Sequence, residues 1–300
     1  MIRRALLPLL LIAAPAAAQA QAQTPPTAAP QAAAQRFTVV VEGTGPDVIL
    51  IPGLSCPRAV WDGARAALGG RYRLHLIELK GFAAGDPGPN LNGPILTDLV
   101  EQLNAYIAAN KLKAPAVIGH SLGGLTALML AKAHPQAVGR VMVVDALPWI
   151  GTILAPPGAT LAQVEPFVAQ QRAAFAARYG QPADLTALGA NAAGLALKPE
   201  ARAQVTAWSA AADPRVVGQA LYEDVMTDLR GEMAGITTPI TLLYPYSAAV
   251  PRERADALYR GEYAKAPKVT FVPVADAYHF IMLDQPEPFA KALKEFLAQP

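Results

Sequence analysis

One serine in this chain is placed where a nucleophile could be presented. Gly119-His120-Ser121-Leu122-Gly123 joins an apolar run, Ala114–Ile118, to a stretch of helical spacing, Leu122–Ala133. A G-x-S-x-G segment between a strand and a helix predicts a sharp turn with the serine at its apex. Such a turn holds that residue in strained backbone and needs small neighbours two positions away, which Gly119 and Gly123 supply. Ser121 then lies at a helix N-terminus, where backbone N–H groups point at developing negative charge. The N–H of Leu122 is one candidate oxyanion donor. A serine hydroxyl is a weak nucleophile until a base takes its proton. The chain holds four histidines. His75 falls inside a predicted strand, His120 lies within the turn and faces away from the serine, and His134 closes a helix before Pro135. His279 follows the last predicted strand, in Asp276-Ala-Tyr-His-Phe280, just before the final helix. It is the candidate general base.

Other chemistries find little support. The lone cysteine, Cys56, excludes a disulfide scaffold and a cysteine-based zinc site. A catalytic role for it would need a histidine of its own, and none is spare, so it reads as a small pocket-edge or core residue. The histidines are scattered, with no H-x-H or H-E-x-x-H, so no metal is expected. No G-x-G-x-x-G opens a helix after a strand, so no dinucleotide and no other cofactor is implied. A net charge of +2 makes a broad basic nucleic-acid surface unlikely. With 53% hydrophobic residues the chain can bury a core.

The elements that must position these groups alternate. Strands are predicted at 36–42, 47–51, 72–79, 114–118 and 139–144, and helices at 57–69, 95–109 and 122–133. That rhythm predicts an α/β fold with a mostly parallel central sheet flanked by helices. Residues 147–232 carry no strand pattern, only helical stretches at 161–178, 198–211 and 214–228, and read as an all-helical insertion. Strands resume at 240–244 and 269–274, with helices at 252–265 and 286–297. Asp284 followed by Glu287 reads as the cap of the last helix. The expected organisation is a core of 36–146 and 233–300 with a helical cap of 147–232. Ahead of it, residues 1–20 have a signal-peptide plan: Arg3 and Arg4, an apolar Ala5–Ala18, then Ala18-Gln19-Ala20 as cleavage site. Residues 21–35 form an Ala/Gln/Pro leader. Removing residues 1–20 takes away two arginines, leaving the 23 acidic groups balanced by as many basic ones. The mature protein is expected to be secreted or periplasmic, with no integral membrane segment.

The GHSLGG elbow in its strand–turn–helix setting resembles the α/β-hydrolase superfamily, in its cap-bearing branch, over roughly 37–299. The resemblance implies a second oxyanion donor from the loop after an early strand. Ile51-Pro52-Gly53-Leu54-Ser55 occupies the place of the family's His-Gly-x turn, so Leu54 would donate and Gly53 would permit the close turn, with Pro52 where many relatives have histidine. Trp61 and Trp149 are candidates to line the pocket. The acid is where this chain departs from the pattern. Many relatives carry it after the strand that follows the cap, but Tyr244–Pro251 holds no acid, and Ser247 stands near its place. Asp145, at the end of the strand 141–144, is one candidate, because some cap-bearing members take their acid there. Asp276, three residues before His279, is another, and a site with no working acid is a third possibility. Glu253 and Asp256 read as solvated helix residues.

The resemblance implies an exported serine hydrolase, first a carboxylesterase on small or medium apolar esters, working through an acyl-enzyme on a small-molecule ester-like substrate. Lactones, thioesters, amides, C–C bonds and perhydrolysis stay open within that fold. A non-catalytic hydrolase-fold binding protein is the alternative from another class. Nothing in the sequence sets the oligomeric state.

Overall fold

The computed structural model describes residues 35–299. The expected signal peptide and all of the leader but its last residue lie outside them. Seven strands form one sheet in the order β1-β3-β2-β4-β5-β6-β7. They are β1 (Phe37–Glu42), β2 (Asp47–Ile51), β3 (Arg73–Leu79), β4 (Ala116–His120), β5 (Arg140–Val144), β6 (Ile240–Tyr246) and β7 (Val269–Ala275). All neighbours pair in parallel except β1, which runs antiparallel to β3 and is the edge the sequence reading did not orient.

The apolar runs become strands because both faces of the sheet are covered. Successive side chains alternate faces. Ile49 and Ile51, Val117, and Val141 and Val143 enter one core, while Val48 and Leu50, Ile118, and Met142 and Val144 enter the other. Helices α2 (Ile95–Ala109) and α3 (Leu122–Ala133) pack into the first core, and α1 (Asp62–Leu68) and the closing helix into the second. α2 buries Ile95, Leu99, Leu103 and Ile107 in the four-residue rhythm that gave it away. The sheet order also places the site. The chain runs from β2 outward to β3, then returns to the opposite side of β2 for β4. The crevice beyond the C-terminal ends of β2 and β4 is therefore a switch point, where open α/β sheets bind ligands.

Between β5 and β6 the chain is helical: α4 (Gly151–Leu154), α5 (Leu161–Ala176), α6 (Leu185–Leu195), α7 (Pro199–Ala211) and α8 (Pro214–Met226). The sequence reading passed over α6, whose run of small residues contains Gly189 and Gly194 and has little amphipathic contrast. Asp184 starts α6 by accepting the Ala187 N–H at 3.0 Å. After β6 come α9 (Arg252–Glu262), the single turn α10 (Ile281–Asp284) and α11 (Pro286–Ala298). One expectation fails here. Asp284 does not cap α11, whose cap position is Gln285. Its fully buried carboxylate instead accepts from the N–H groups of Leu197 (2.8 and 2.9 Å), Lys198 (3.1 Å) and Tyr278 (2.9 Å). A carboxylate sealed from water needs several donors, and three backbone N–H groups converge there. Among the described residues no helix is long and apolar enough to cross a membrane.

Candidate active site

Ser121 sits between β4 and α3 with φ 53° and ψ −123°, a conformation costly for a residue with a β-carbon. Packing enforces it. A β-carbon on Gly119 would lie 2.0 Å from the Gly123 carbonyl oxygen, and one on Gly123 would lie 2.2 Å from that of Ile51. Only glycine fits at either place, so α3 can approach β2 and β4 closely enough to force the turn. The Ser121 N–H is tied to the Val144 carbonyl at 3.0 Å, and its own carbonyl accepts from Gly124 and Leu125 at 2.7 and 3.1 Å. The N–H groups of Leu122 and Leu54 take part in no backbone hydrogen bond among the described residues. Leu54 and Ser121 line the same cavity.

His279 stands on the loop after β7. Its Nδ1 lies 2.7 Å from Oδ2 of Asp145. Asp145 follows β5 directly, in left-handed backbone with φ 49°, its N–H bonded to Leu243 at 2.9 Å. The other carboxylate oxygen, Oδ1, accepts from the Tyr259 hydroxyl on α9. Burial first, then the Asp145 charge, pushes ionisation of Tyr259 well above its usual value of 10, so this hydroxyl stays a donor. Ser121, Asp145 and His279 all line one cavity of about 1690 Å³. Neither the Ser121 hydroxyl nor Nε2 of His279 makes a hydrogen bond among the described residues, to each other or to any third group, so both are unspent on the cavity wall. The second candidate acid, Asp276, has an exposed side chain and is not bonded to His279. Ser247, in the place of the acid that many relatives carry, closes a turn with Val250 instead.

His120 carries the mount of the base. Its Nε2 is 3.1 Å from the His279 carbonyl, and the two rings lie 4.6 Å apart. A carbonyl can only accept, so the His120 proton is on Nε2 and Nδ1 is left bare, without a partner. Burial, reinforced by His279, holds the pKa of His120 well below 6.5, which keeps it neutral. A β-carbon on Gly53 would lie 2.7 Å from that Nδ1, so Gly53 is small to admit His120 rather than to line the pocket. The remaining histidines are engaged elsewhere, His75 with Tyr106 and Asp47 at 2.7 and 2.9 Å and His134 with Glu101 at 3.0 Å. Cys56 is buried, and desolvation raises its thiol to about 12, which removes it as a nucleophile.

The two tryptophans proposed for the pocket are placed elsewhere. Trp61 is fully buried and stacks on Phe289 at 6.4 Å. Trp149 donates to the Val225 carbonyl at 2.8 Å within a small cluster with Val164 and Val168. Both are large apolar groups that the second core and the cap's own packing absorb. The tryptophan that does line the cavity is Trp208 of α7, beside Phe280 at 6.3 Å. Asp256, read as solvated, accepts from Tyr244 and Arg252 at 2.6 and 2.8 Å. Tyr259 was also missed. The available signal was Ala255 and Tyr259 four apart on the inner face of α9, where a buried phenol needs a partner. Among the described residues no group of three or more His, Cys, Asp or Glu side chains is placed to hold a metal ion.

Comparison with known proteins follows the same lines. A family model described as "Alpha/beta hydrolase family" matches residues 48–292. A pimeloyl-[acyl-carrier protein] methyl ester esterase of Edwardsiella ictaluri is 29% identical over 83% of this chain and 92% of its own length. The esterase of the same name from Aeromonas hydrophila is 35% identical, over 35% of this chain and 40% of its own length. Among solved structures, an enol-lactonase from Burkholderia xenovorans shares the fold with a TM-score of 0.70, at 21% identity over 88% of this chain and 96% of that one.

Proposed function

The chain belongs to the alpha/beta hydrolase family, and from that premise we propose that it is an exported serine carboxylesterase acting on small or medium apolar esters. The observation that carries the reading is a strained Ser121 and a His279–Asp145 pair, 2.7 Å apart, on the wall of one cavity. In this reading Ser121 attacks the ester carbonyl while Nε2 of His279 takes its proton. The N–H groups of Leu54 and Leu122 receive the oxyanion. His279 then protonates the departing alcohol, and an acyl-enzyme remains on Ser121. Water, activated by His279, attacks the acyl group and releases the acid. Asp145 holds the imidazole in the tautomer with its proton on Nδ1 and stabilises the imidazolium that forms. Leu54, Leu195, Leu221, Trp208 and Phe280 on the wall favour an apolar acyl chain. The esterases named above support ester bonds as the target. The cap is taken as 147–232 and the core as 36–146 and 233–300. The signal-like residues 1–20 support export to the periplasm or beyond.

The test uses the chain from residue 21 with p-nitrophenyl esters from acetate to octanoate. Ser121→Ala abolishes turnover, and Asp145→Asn lowers kcat by about 10²–10⁴, whereas Asp276→Asn stays within about twofold of the parent. Equal activity in the parent and Ser121→Ala would refute the serine mechanism. Export is checked by fractionating cells that express the full chain. A product beginning after Ala20 outside the cytoplasm is expected, and an uncleaved cytoplasmic product would refute it.

A further inference from the structure

The wall that α8 gives the cavity is a single stripe. Pro214, Val217, Leu221 and Asp224 face it, at the three- and four-residue spacing that puts side chains on one side of a helix. Three of them are apolar and the fourth is a carboxyl. The other charged groups of α8 are engaged. Arg215 pairs with Asp213, and Glu223 accepts from the N–H groups of Ile95 and Leu96 and from Gln219. The Asp224 carbonyl accepts from the Thr227 N–H at 3.2 Å, but its carboxyl makes no hydrogen bond and no ion-pair contact among the described residues. Asp224 is half-buried in the cavity wall; desolvation pushes its carboxyl up to about 7, and the charge of His279 acts in the opposite direction.

A structural acid caps a helix or pairs with a cation, and Asp224 does neither. Nor does it hold the base, because Nδ1 of His279 is taken by Asp145, whose other oxygen is taken by Tyr259. The remaining charged residues of the wall, Arg178, Asp184 and Arg254, are exposed and screened by solvent. Asp184 is also spent on the α6 cap, and Arg178 lies over the Phe175 ring at 4.7 Å. The unengaged charge on the half-buried part of the cavity wall is therefore a carboxyl. An unpaired acid in a half-dry pocket is costly until a ligand supplies the counter-charge. It repels an anionic substrate and is neutralised by a cationic one.

We propose that Asp224 is a substrate-recognition residue that selects esters carrying a protonated or quaternary amine over their neutral and anionic counterparts. The proposal rests on the esterase reading and names its substrate class. It adds no covalent step, because the amine pairs with Asp224 while Ser121 attacks the ester.

The test compares matched esters at pH 8, where this carboxyl is largely ionised. On the acyl side they are methyl 6-aminohexanoate, methyl heptanoate and monomethyl pimelate. On the alcohol side they are acetylcholine and 3,3-dimethylbutyl acetate. The parent enzyme should prefer the cationic member of at least one set by about tenfold or more in kcat/KM, the low end for a close charge pair. Asp224→Asn and Asp224→Leu should each remove that preference. An unchanged preference, no preference in the parent, or an equal loss on every ester would overturn the proposal. If no ester is cleaved at all, the esterase reading fails separately, and recognition is read by calorimetry on Ser121→Ala with methyl 6-aminohexanoate and acetylcholine. Binding weakened about tenfold by adding Asp224→Asn upholds the role. Binding that does not depend on Asp224 refutes it.

Discussion

Tyr259→Phe tests whether the acid of this site is positioned from α9. The change deletes one oxygen and leaves Oδ1 of Asp145 without the donor that now holds it, in a residue only 9% exposed. Stranding a buried acceptor costs about 1–3 kcal/mol, more when it is charged. For a domain of this size that lowers the melting temperature by roughly 2–12 °C. Catalysis suffers only to the extent that the bond matters more in the transition state than in the ground state. It does matter more, because His279 becomes positively charged there and depends on a carboxylate aimed at Nδ1. Freed of Tyr259, Asp145 can rotate off the ring. The expected loss in kcat is about 5- to 150-fold, the kinetic equivalent of the same free energy. It stays well short of the ~10⁴ that follows loss of a triad acid. Tyr263→Phe is the control. Its hydroxyl donates to the Ala146 carbonyl at 2.9 Å and makes no hydrogen bond to Ser121, Asp145 or His279, so it should lower the melting temperature comparably while sparing kcat. The assay is p-nitrophenyl butyrate turnover beside thermal melts of both variants. A Tyr259→Phe protein that melts lower but keeps kcat within about twofold would show that Tyr259 only fills the core.

Three further outcomes follow from the same geometry. Gly123→Ala puts a β-carbon 2.2 Å from the Ile51 oxygen and 2.6 Å from that of Pro52, both backbone atoms that cannot swing away. It should cost about 3 kcal/mol or more in urea unfolding, and a stability within 1 kcal/mol of the parent would refute this account of the elbow. Asp284→Asn leaves three backbone N–H groups without their charged acceptor and should lower stability by about 3 kcal/mol. It should also speed hydrogen exchange at Leu197 and Lys198 and lower kcat through the Tyr278–His279 loop, so unchanged exchange there would refute the link. His120 is neutral when folded, with a pKa well below 6.5. Below about pH 6.5 only the unfolded chain takes up a proton at this position. Stability present above that pH is therefore lost as pH falls, by about 1.4 kcal/mol per unit, levelling off below the folded pKa. Urea melts of the parent and His120→Gln from pH 7.5 to 5 should differ in slope, and parallel curves would refute the assignment.

The acid shows where sequence reading reaches its limit. Asp145 and Asp276 were both open, because each lies in a loop beside the sheet and the sequence spacing favours neither. Asp276 is three residues from His279 along the chain, yet its side chain points to solvent. Asp145 is 134 residues away and in contact. The residues that follow β5 and β7 come within reach because the sheet sets those strands one on either side of β6, an ordering made by pairing across long separations. The same limit hid Tyr259, which reaches Asp145 across 114 residues. It also misplaced Trp61 and Trp149, whose types suit a pocket wall and a core equally well.

The sequence by itself determined the strand–turn–helix setting of Ser121 and the order of strands and helices. Those features are local: two glycines flanking a serine, a run of apolar residues, a four-residue repeat. Each is written within one or two turns of chain, where sterics and periodicity act without distant partners. The tertiary structure decided which carboxylate meets His279, why Gly53 and His120 must pack together, and that Asp284 ties the cap to the loop of the base. Those contacts join residues that are remote in sequence, and burial gives them their strength by removing the water that would otherwise satisfy each group alone.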